Sequence, residues 1–333
     1  MTSGIGLRAS GFKKGLFMFR RLIVVVCSCL VLASVFSCNR ETASSDGRPR
    51  VALVLKTLNN PFFIEMQRGA EEAAKALNVD LTVQAAERET DVDKQMQIIE
   101  DLIQAKVDAL AITPSGSREV VPAIGKANQA NIPVVVVDTR LDAKAAAEAG
   151  VRTATFVGSD NYRGGQLIGE YLVKVSGGKA KVAILEGIAG HETGDSRVRG
   201  FRDAVKGAPS ISIVASQTAN WERDQGFNVF QNILQAHPDL DTVFACNDMM
   251  ALGAIEAINA AEKAGRIRVL GFDAVKDARA ALESGAMAAT VAQYPDEMGR
   301  TAVEMAVKAI KGEPLPPDVG VRIGLVTKEN AGQ

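Results

Sequence analysis

Polar side chains stand where short β-branched runs of the sequence end. Lys56 follows VALVL (51–55), Asp138 closes PVVVVD (133–138), Asn247 and Asp248 follow TVFAC (242–246), Asp273 follows IRVLGF (267–272) and Gln293 closes ATVAQ (289–293). In open α/β sheets, ligands collect beyond the carboxyl ends of the strands, so these positions mark where a site would lie. Most are carboxylates or amides, and Arg197, in the segment EGIAGHETGDSRVRGF, adds a planar guanidinium. Groups of this shape make paired hydrogen bonds to adjacent hydroxyls. Aromatic residues make up only 5% of the chain. Phe62, Phe63 and the single tryptophan, Trp221, offer flat apolar faces suited to the C–H side of a sugar ring.

Each of these residues also has a plainer role. Asn60 in KTLNNPFF suits a helix N-cap, with Pro61 at the first helical position; a cap uses one group of the amide and leaves the other for a ligand. Adjacent helical residues point about 100° apart, so Phe62 and Phe63 are not both expected in the core. Trp221 could be a surface aromatic, Lys56 a solvated lysine, and Asp138 and Asp273 caps of the turns after them. Arg197 has Asp195 and Glu192 as possible surface partners. Of Asn247 and Asp248, one is expected to face a ligand and the other to cap a helix beginning at Met249. Cys246 is expected to pack as a small buried hydrophobe, and His191 and His237 to lie at the surface. No metal-ligand spacing accompanies the histidines, so no metal is expected. The His, Asp and Ser of HETGDSR carry little weight as a triad, which needs convergence in space rather than adjacency in sequence.

The elements that must position these residues alternate. Ten runs, VALVL, LTVQA (81–85), ALAIT (109–113), PVVVVD, ATFVG (154–158), KVAILEG (181–187), ISIVAS (211–216), TVFAC, IRVLGF and ATVAQ, are separated mostly by amphipathic segments such as DVDKQMQIIEDLIQA. The wholly apolar PVVVVD predicts strands buried on both faces, as in parallel sheets. The alternation predicts a doubly wound α/β architecture. The roughly 280 residues after residue 49 are too many for one such sheet and suit two lobes. The rhythm breaks over Leu141–Thr153, where no strand is read, and a crossing between lobes is expected near Gly158–Asp160. The phosphate-binding patterns GxGxxG and GxxxxGK[ST] do not occur, so no nucleotide or other cofactor is expected.

The beginning of the chain reads as an export signal. Arg20 and Arg21 precede an apolar run, Leu22–Phe36, too short to span a membrane. The run ends in VFSC, a lipobox-like sequence in which Cys38 would become the acylated first residue. Residues 1–38 are therefore expected to be a lipoprotein signal peptide and 39–49 a polar tether; a start at Met18 gives a more typical signal length. The chain carries 38 basic and 39 acidic residues, and loss of the leader's five cations leaves a net charge of −6. A mildly acidic exported protein lacks the basic face that nucleic acid requires. Cys246 is the one cysteine after the leader, so the folded part has no internal disulfide.

The segments TLNNPFF, NQANIPVVVVD, EGIAGHETGDSRVRGF, ASQTANWERDQG, AHPDLDTVFACNDMMALGA, VLGFDAVKDA and ATVAQYPDEMG resemble the periplasmic ribose-binding protein family, in register from about Val51 to the C-terminus. The resemblance implies the type I periplasmic binding protein fold: two doubly wound parallel-sheet lobes, joined by a three-crossing hinge, with a monosaccharide between them. The corresponding lobes are 50–158 with 294–321, and 159–293 with 322–333. The implied ligand contacts are Asn60, Phe62, Phe63 and Asp138 from the first lobe, and Arg197, Trp221, Asn247, Asp273 and Gln293 from the second lobe and hinge. Lys56 stands where ribose-binding members have serine, and Thr139 where they have arginine, with Arg140 one place later. Lys56 and Trp221 look more like the allose-binding branch. The implied function is that of a non-enzymatic, monomeric binding lipoprotein. It would capture ribose, allose or a related monosaccharide or sugar alcohol for an ABC-type permease, with its lipid as the only contact with membrane. A sugar sensor serving a chemoreceptor or sensor kinase is the alternative. A sugar-responsive repressor is disfavoured by the export signal and the lack of a helix-turn-helix, and a sugar-modifying enzyme by the lack of an acid/base pair.

Overall fold

The computed structural model describes residues 1–2 and 47–332; the leader, Cys38 and most of the tether lie outside the described residues. From Arg48 onward the chain forms two six-stranded sheets. The first contains β1 (Arg50–Thr57), β2 (Asp80–Ala86), β3 (Ala109–Ile112), β4 (Val134–Val137), β5 (Thr155–Ser159) and β11 (Asp318–Val321), in the order β11-β5-β4-β3-β1-β2. All of its pairings are parallel. The second contains β6 (Lys179–Glu186), β7 (Ser210–Thr218), β8 (Thr242–Ala245), β9 (Arg268–Asp273), β10 (Ala289–Ala292) and β12 (Gly324–Thr327), in the order β12-β10-β9-β8-β6-β7. Only β12 runs antiparallel to its neighbour. The expected doubly wound architecture is present twice.

The central strands are apolar on both faces because helices cover both. Every residue of β3, β4, β8 and β10 is buried. The helices of the first unit are α1 (Pro61–Leu77), α2 (Val92–Gln104), α3 (Val121–Gln129) and α4 (Ala143–Glu148). Next come α5 (Asn161–Ser176), α6 (Glu192–Val205), α7 (Arg223–Ala236), α8 (Asp248–Ala260), α9 (Lys276–Ser284) and α10 (Pro295–Ile310). On α1, Phe62, Phe63, Met66, Ala70, Ala73 and Ala74 form the buried stripe, at helical spacing. Two core clusters flank the first sheet, and one large cluster surrounds the second.

The chain passes between the sheets three times. β5 leads into α5, which packs on α6 and β10; β10 leads into α10, which packs on α1 and the first sheet; β11 leads into β12. In each sheet the strand order reverses beside the first strand, between β1 and β3 and between β6 and β8, and crevices open at such points. All ten runs read from the sequence are strands. β11 and β12 are not among those runs: both are four-residue edge strands in which Val326 alone is buried, so neither carries the apolar signal of a central strand. Leu141–Thr153 contains no strand and holds the short helix α4.

Candidate functional site

The carboxyl ends of the two sheets face one another across a cleft. A space of about 260 Å³ there is lined by Lys56, Asn60, Phe62, Phe63, Asp138, Arg197, Trp221, Asn247, Asp273 and Gln293, together with Glu89 and Thr193. Asp248 apart, every residue singled out from strand ends and aromatic faces thus lines a single cavity.

On the first-sheet side the groups form a buried polar network. Lys56, at the end of β1, is 2% exposed; its Nζ lies 3.3 Å from Asp138 Oδ2 and 3.8 Å from Glu89 Oε2. Asn60 caps α1, its Oδ1 accepting the Phe62 N–H at 3.1 Å, while its Nδ2 donates to Glu89 Oε1 at 3.1 Å. Phe62 and Phe63 meet edge to face at 5.2 Å, and Lys56 Nζ lies 5.6 Å from the centre of the Phe63 ring. Both phenylalanines are buried and both line the cavity, against the expectation that one would leave the core; the helix starts at the cleft wall, so its first turn serves both. Glu89 was not anticipated. It lies beyond β2, in a turn whose three charged residues, Glu87, Arg88 and Glu89, give no sign of which one points inward. Burial pushes its carboxyl up to about 7, against the pull of Lys56.

On the second-sheet side Arg197 is buried in α6. Its Nε donates to Asn161 Oδ1 at 2.9 Å and its Nη1 to the Cys246 carbonyl at 2.6 Å, while Nη1 lies 3.7 Å from Asp273 Oδ1. Its guanidinium sits 3.7 Å from the centre of the Phe272 ring. It does not join a surface cluster with Asp195 or Glu192. The helix can lie this close to α5 because Gly165 and Gly200 face the backbone of the opposite helix, where any Cβ would overlap it. Asn247 caps α8 through Oδ1, which accepts the Met250 N–H at 2.9 Å, and its Nδ2 donates to the Trp221 carbonyl at 3.0 Å. The expected division between Asn247 and Asp248 does not hold. Asn247 both caps and lines the cavity, and Asp248 lies behind it, its carboxylate accepting from Thr290 Oγ1 at 2.7 Å and from the Val275 N–H at 2.9 Å. Cys246 is buried, and burial pushes its thiol up to about 12.

Asp273 and Gln293 complete the wall. Gln293 Nε2 donates to Asp273 Oδ1 at 2.8 Å, whereas Gln293 Oε1 is buried without a partner. Burial raises the Asp273 carboxyl well above the ordinary carboxylate range, with Arg197 opposing the shift. Asp138, Trp221 and Asp273 have φ of 63°, 69° and 119°. Non-glycine residues rarely occupy this region, and such strain gathers at functional sites.

His191 corrects the surface assignment made from its polar neighbours: it is 2% exposed, lying between Ser115 of the first unit and Trp221 of the second. His237 is half-buried. Thr139 is buried, and its hydroxyl meets Thr193 Oγ1 at 3.1 Å across the cleft. Arg140 lies outside the cavity, paired with Asp318 at 2.6 Å and stacked on Phe156. Among the described residues no cluster of histidine, cysteine and carboxylate has the form of a metal site.

A cleft of this kind, between two doubly wound sheets linked by three crossings, has a counterpart among known families. The sequence profile of the periplasmic binding protein domain matches residues 51–314. The chain belongs to the periplasmic binding protein family. The ribose import binding protein of Escherichia coli is 40% identical over 288 residues, spanning 86% of this chain and 94% of that protein. The D-ribose/D-allose-binding protein of Pseudomonas aeruginosa is 37% identical over 300 residues, spanning 88% and 92%. A solved ABC-transporter periplasmic solute-binding protein from Actinobacillus succinogenes, with bound D-allose, superimposes with a TM-score of 0.80 at 42% identity, covering 85% of this chain and 99% of that one. The likeness to ribose-binding proteins read from the sequence is borne out across the folded part of the chain.

Proposed function

We propose that this periplasmic binding protein captures a monosaccharide or sugar alcohol of the ribose or allose type and delivers it to an ABC-type permease. The observation that carries this reading is the make-up of the cavity. Three carboxylates, three amides, a lysine and an arginine surround a space walled by Phe62, Phe63 and Trp221. Hydroxyls both donate and accept, so they can meet carboxylates and cations alike, while the rings cover the C–H faces and exclude water. The free Gln293 Oε1 is an acceptor awaiting a donor. Relatives named for ribose and allose, and the D-allose-bound neighbour, support the same ligand class.

Capture works by closure. The lobes, residues 50–158 with 294–321 and residues 159–293 with 322–333, move about the three crossings, and a ligand touching both favours the closed form. The closed pair then presents one surface to the permease. Binding involves no bond-breaking step, and the protein acts as a monomer held to a membrane through lipid on Cys38. A melting screen against pentoses, hexoses and polyols tests this: a ligand at a hundred times its Kd adds about 2.7 kcal/mol, and a transition that none of them shifts would overturn the reading.

A further inference from the structure

We propose that His191 is a positioning residue that fastens the Trp221 wall of the cavity to the opposite lobe, and that it does so only as a neutral imidazole. This rests on the capture reading, because it takes the closed arrangement to be the ligand-holding one.

His191 immediately precedes α6, and its two ring nitrogens face groups of opposite kind. Nε2 lies 2.6 Å from the carbonyl oxygen of Ser115, in the turn after β3 of the other lobe. A carbonyl only accepts, so Nε2 carries the proton. Nδ1 lies 3.3 Å from Trp221 Nε1. An indole N–H only donates, so Nδ1 is bare. The two contacts together select one tautomer of the neutral ring. A second proton would set N–H against N–H and bury an unpaired charge. The surroundings act in the same direction: burial first, then the Lys56 ammonium, hold His191 down to about 3, outweighing the Ser115 carbonyl and Asp138.

Both partners are held in place. The Ser115 N–H donates to Gln95 Oε1 at 2.8 Å, and the buried Gln95 Nε2 donates to the Thr113 carbonyl at 2.9 Å and the Leu55 carbonyl at 3.3 Å. On the other side the Trp221 ring lies against Gly187, where a Cβ would overlap it. The Glu192 N–H donates to Ser117 Oγ at 3.2 Å beside this tie, also across the cleft. No neighbouring element among the described residues offers the ring a bonded carboxylate. Lys56 and Asp138 act from the ends of β1 and β4; on α6 the Glu192 carboxylate accepts from Ser196, with Asp195 one turn away from it; Glu222, beside Trp221, pairs with Arg88; Arg118 and Glu119, beyond Ser115, are exposed.

With the lobes apart the Ser115 bond is lost and the ring meets water, where its pKa is about 6.5. Closure at pH 6.5 therefore expels about half a proton from His191, and at pH 5.5 this residue alone weakens binding about tenfold. Burial also raises the Glu89 and Asp273 carboxyls, and both groups are common to the wild type and the variants. Comparison with variants at position 191 isolates the histidine.

The test is calorimetric titration with D-ribose and D-allose, in buffers of different ionisation enthalpy, of the wild type, His191→Phe and His191→Asn. The wild type is expected to release about 0.5 proton more than either variant at pH 6.5, and its affinity advantage at pH 7.5 is expected to shrink about tenfold by pH 5.5. Imidazole-nitrogen NMR of the wild type serves if the variants do not fold. The sugar-bound protein is expected to keep the Nε2–H tautomer at pH 5.5 and the free protein to titrate near 6.5. Equal proton release in all three proteins, or a protonated His191 in the bound form at pH 5.5, overturns the proposal while leaving capture intact. A wild type that binds neither sugar, and whose melting transition no pentose, hexose or polyol shifts, overturns both.

Discussion

Gln293 gives its amide N–H to Asp273 and holds its carbonyl in reserve. The first contact, at 2.8 Å, fixes the amide's orientation, and the second group lies buried without a partner in the cavity wall. An unmet buried acceptor is costly until something donates to it. Replacement by methionine removes that acceptor. Gln293→Met is expected to keep the ligand-free stability within about 1 kcal/mol while weakening sugar binding about tenfold or more. Paired urea-unfolding and calorimetric measurements check this; a variant that binds like the wild type would show that Oε1 meets no ligand.

Glu89 gives the cleft a pH dependence of its own. Its carboxyl, ordinarily near 4.5, is raised to about 7, so between these values the folded protein holds more protons than the unfolded one. Stability from this residue is greatest at low pH and falls as pH rises from about 4.5 to 7. Glu89→Gln is expected to be more stable than wild type at pH 8, on the order of 3 kcal/mol, with the gain vanishing toward pH 4.5. Urea unfolding across that range reads the difference; a gain independent of pH would rule out the charge as its cause.

Asp248 is structural, although it sits beside the cavity-lining Asn247. Its two oxygens accept from Thr290 and from the Val275 N–H, tying the start of α8 to β10 and to the turn after β9. Asp248→Ala leaves both donors buried and unmet, at a cost of about 2–4 kcal/mol. The expected pattern is a lower melting temperature, with near wild-type sugar affinity in the protein that remains folded.

Much of this site was legible before the fold. The central strands announced themselves as apolar runs, and a doubly wound sheet places ligands beyond the last residue of each strand, so Lys56, Asp138, Asn247, Asp273 and Gln293 stood out. What was hidden depended on contacts far apart in sequence. His191 sits in a polar stretch, and its buried ring bonds Ser115 and Trp221, 76 and 30 residues away. Glu89 required knowing which of three charged turn residues faces Lys56. The edge strands β11 and β12 are defined by pairing with β5 and β10, not by their own composition.

The most direct measurement is calorimetric titration of D-ribose and D-allose into the wild type, Trp221→Ala and Asp273→Ala. Trp221 walls the cavity, and Asp273 holds Gln293 while facing Arg197. One-to-one binding of at least one sugar to the wild type is expected. Each variant is expected to lose about thirtyfold or more in affinity, equivalent to about 2 kcal/mol. Binding undiminished in both variants would contradict the assignment of the site to this cleft.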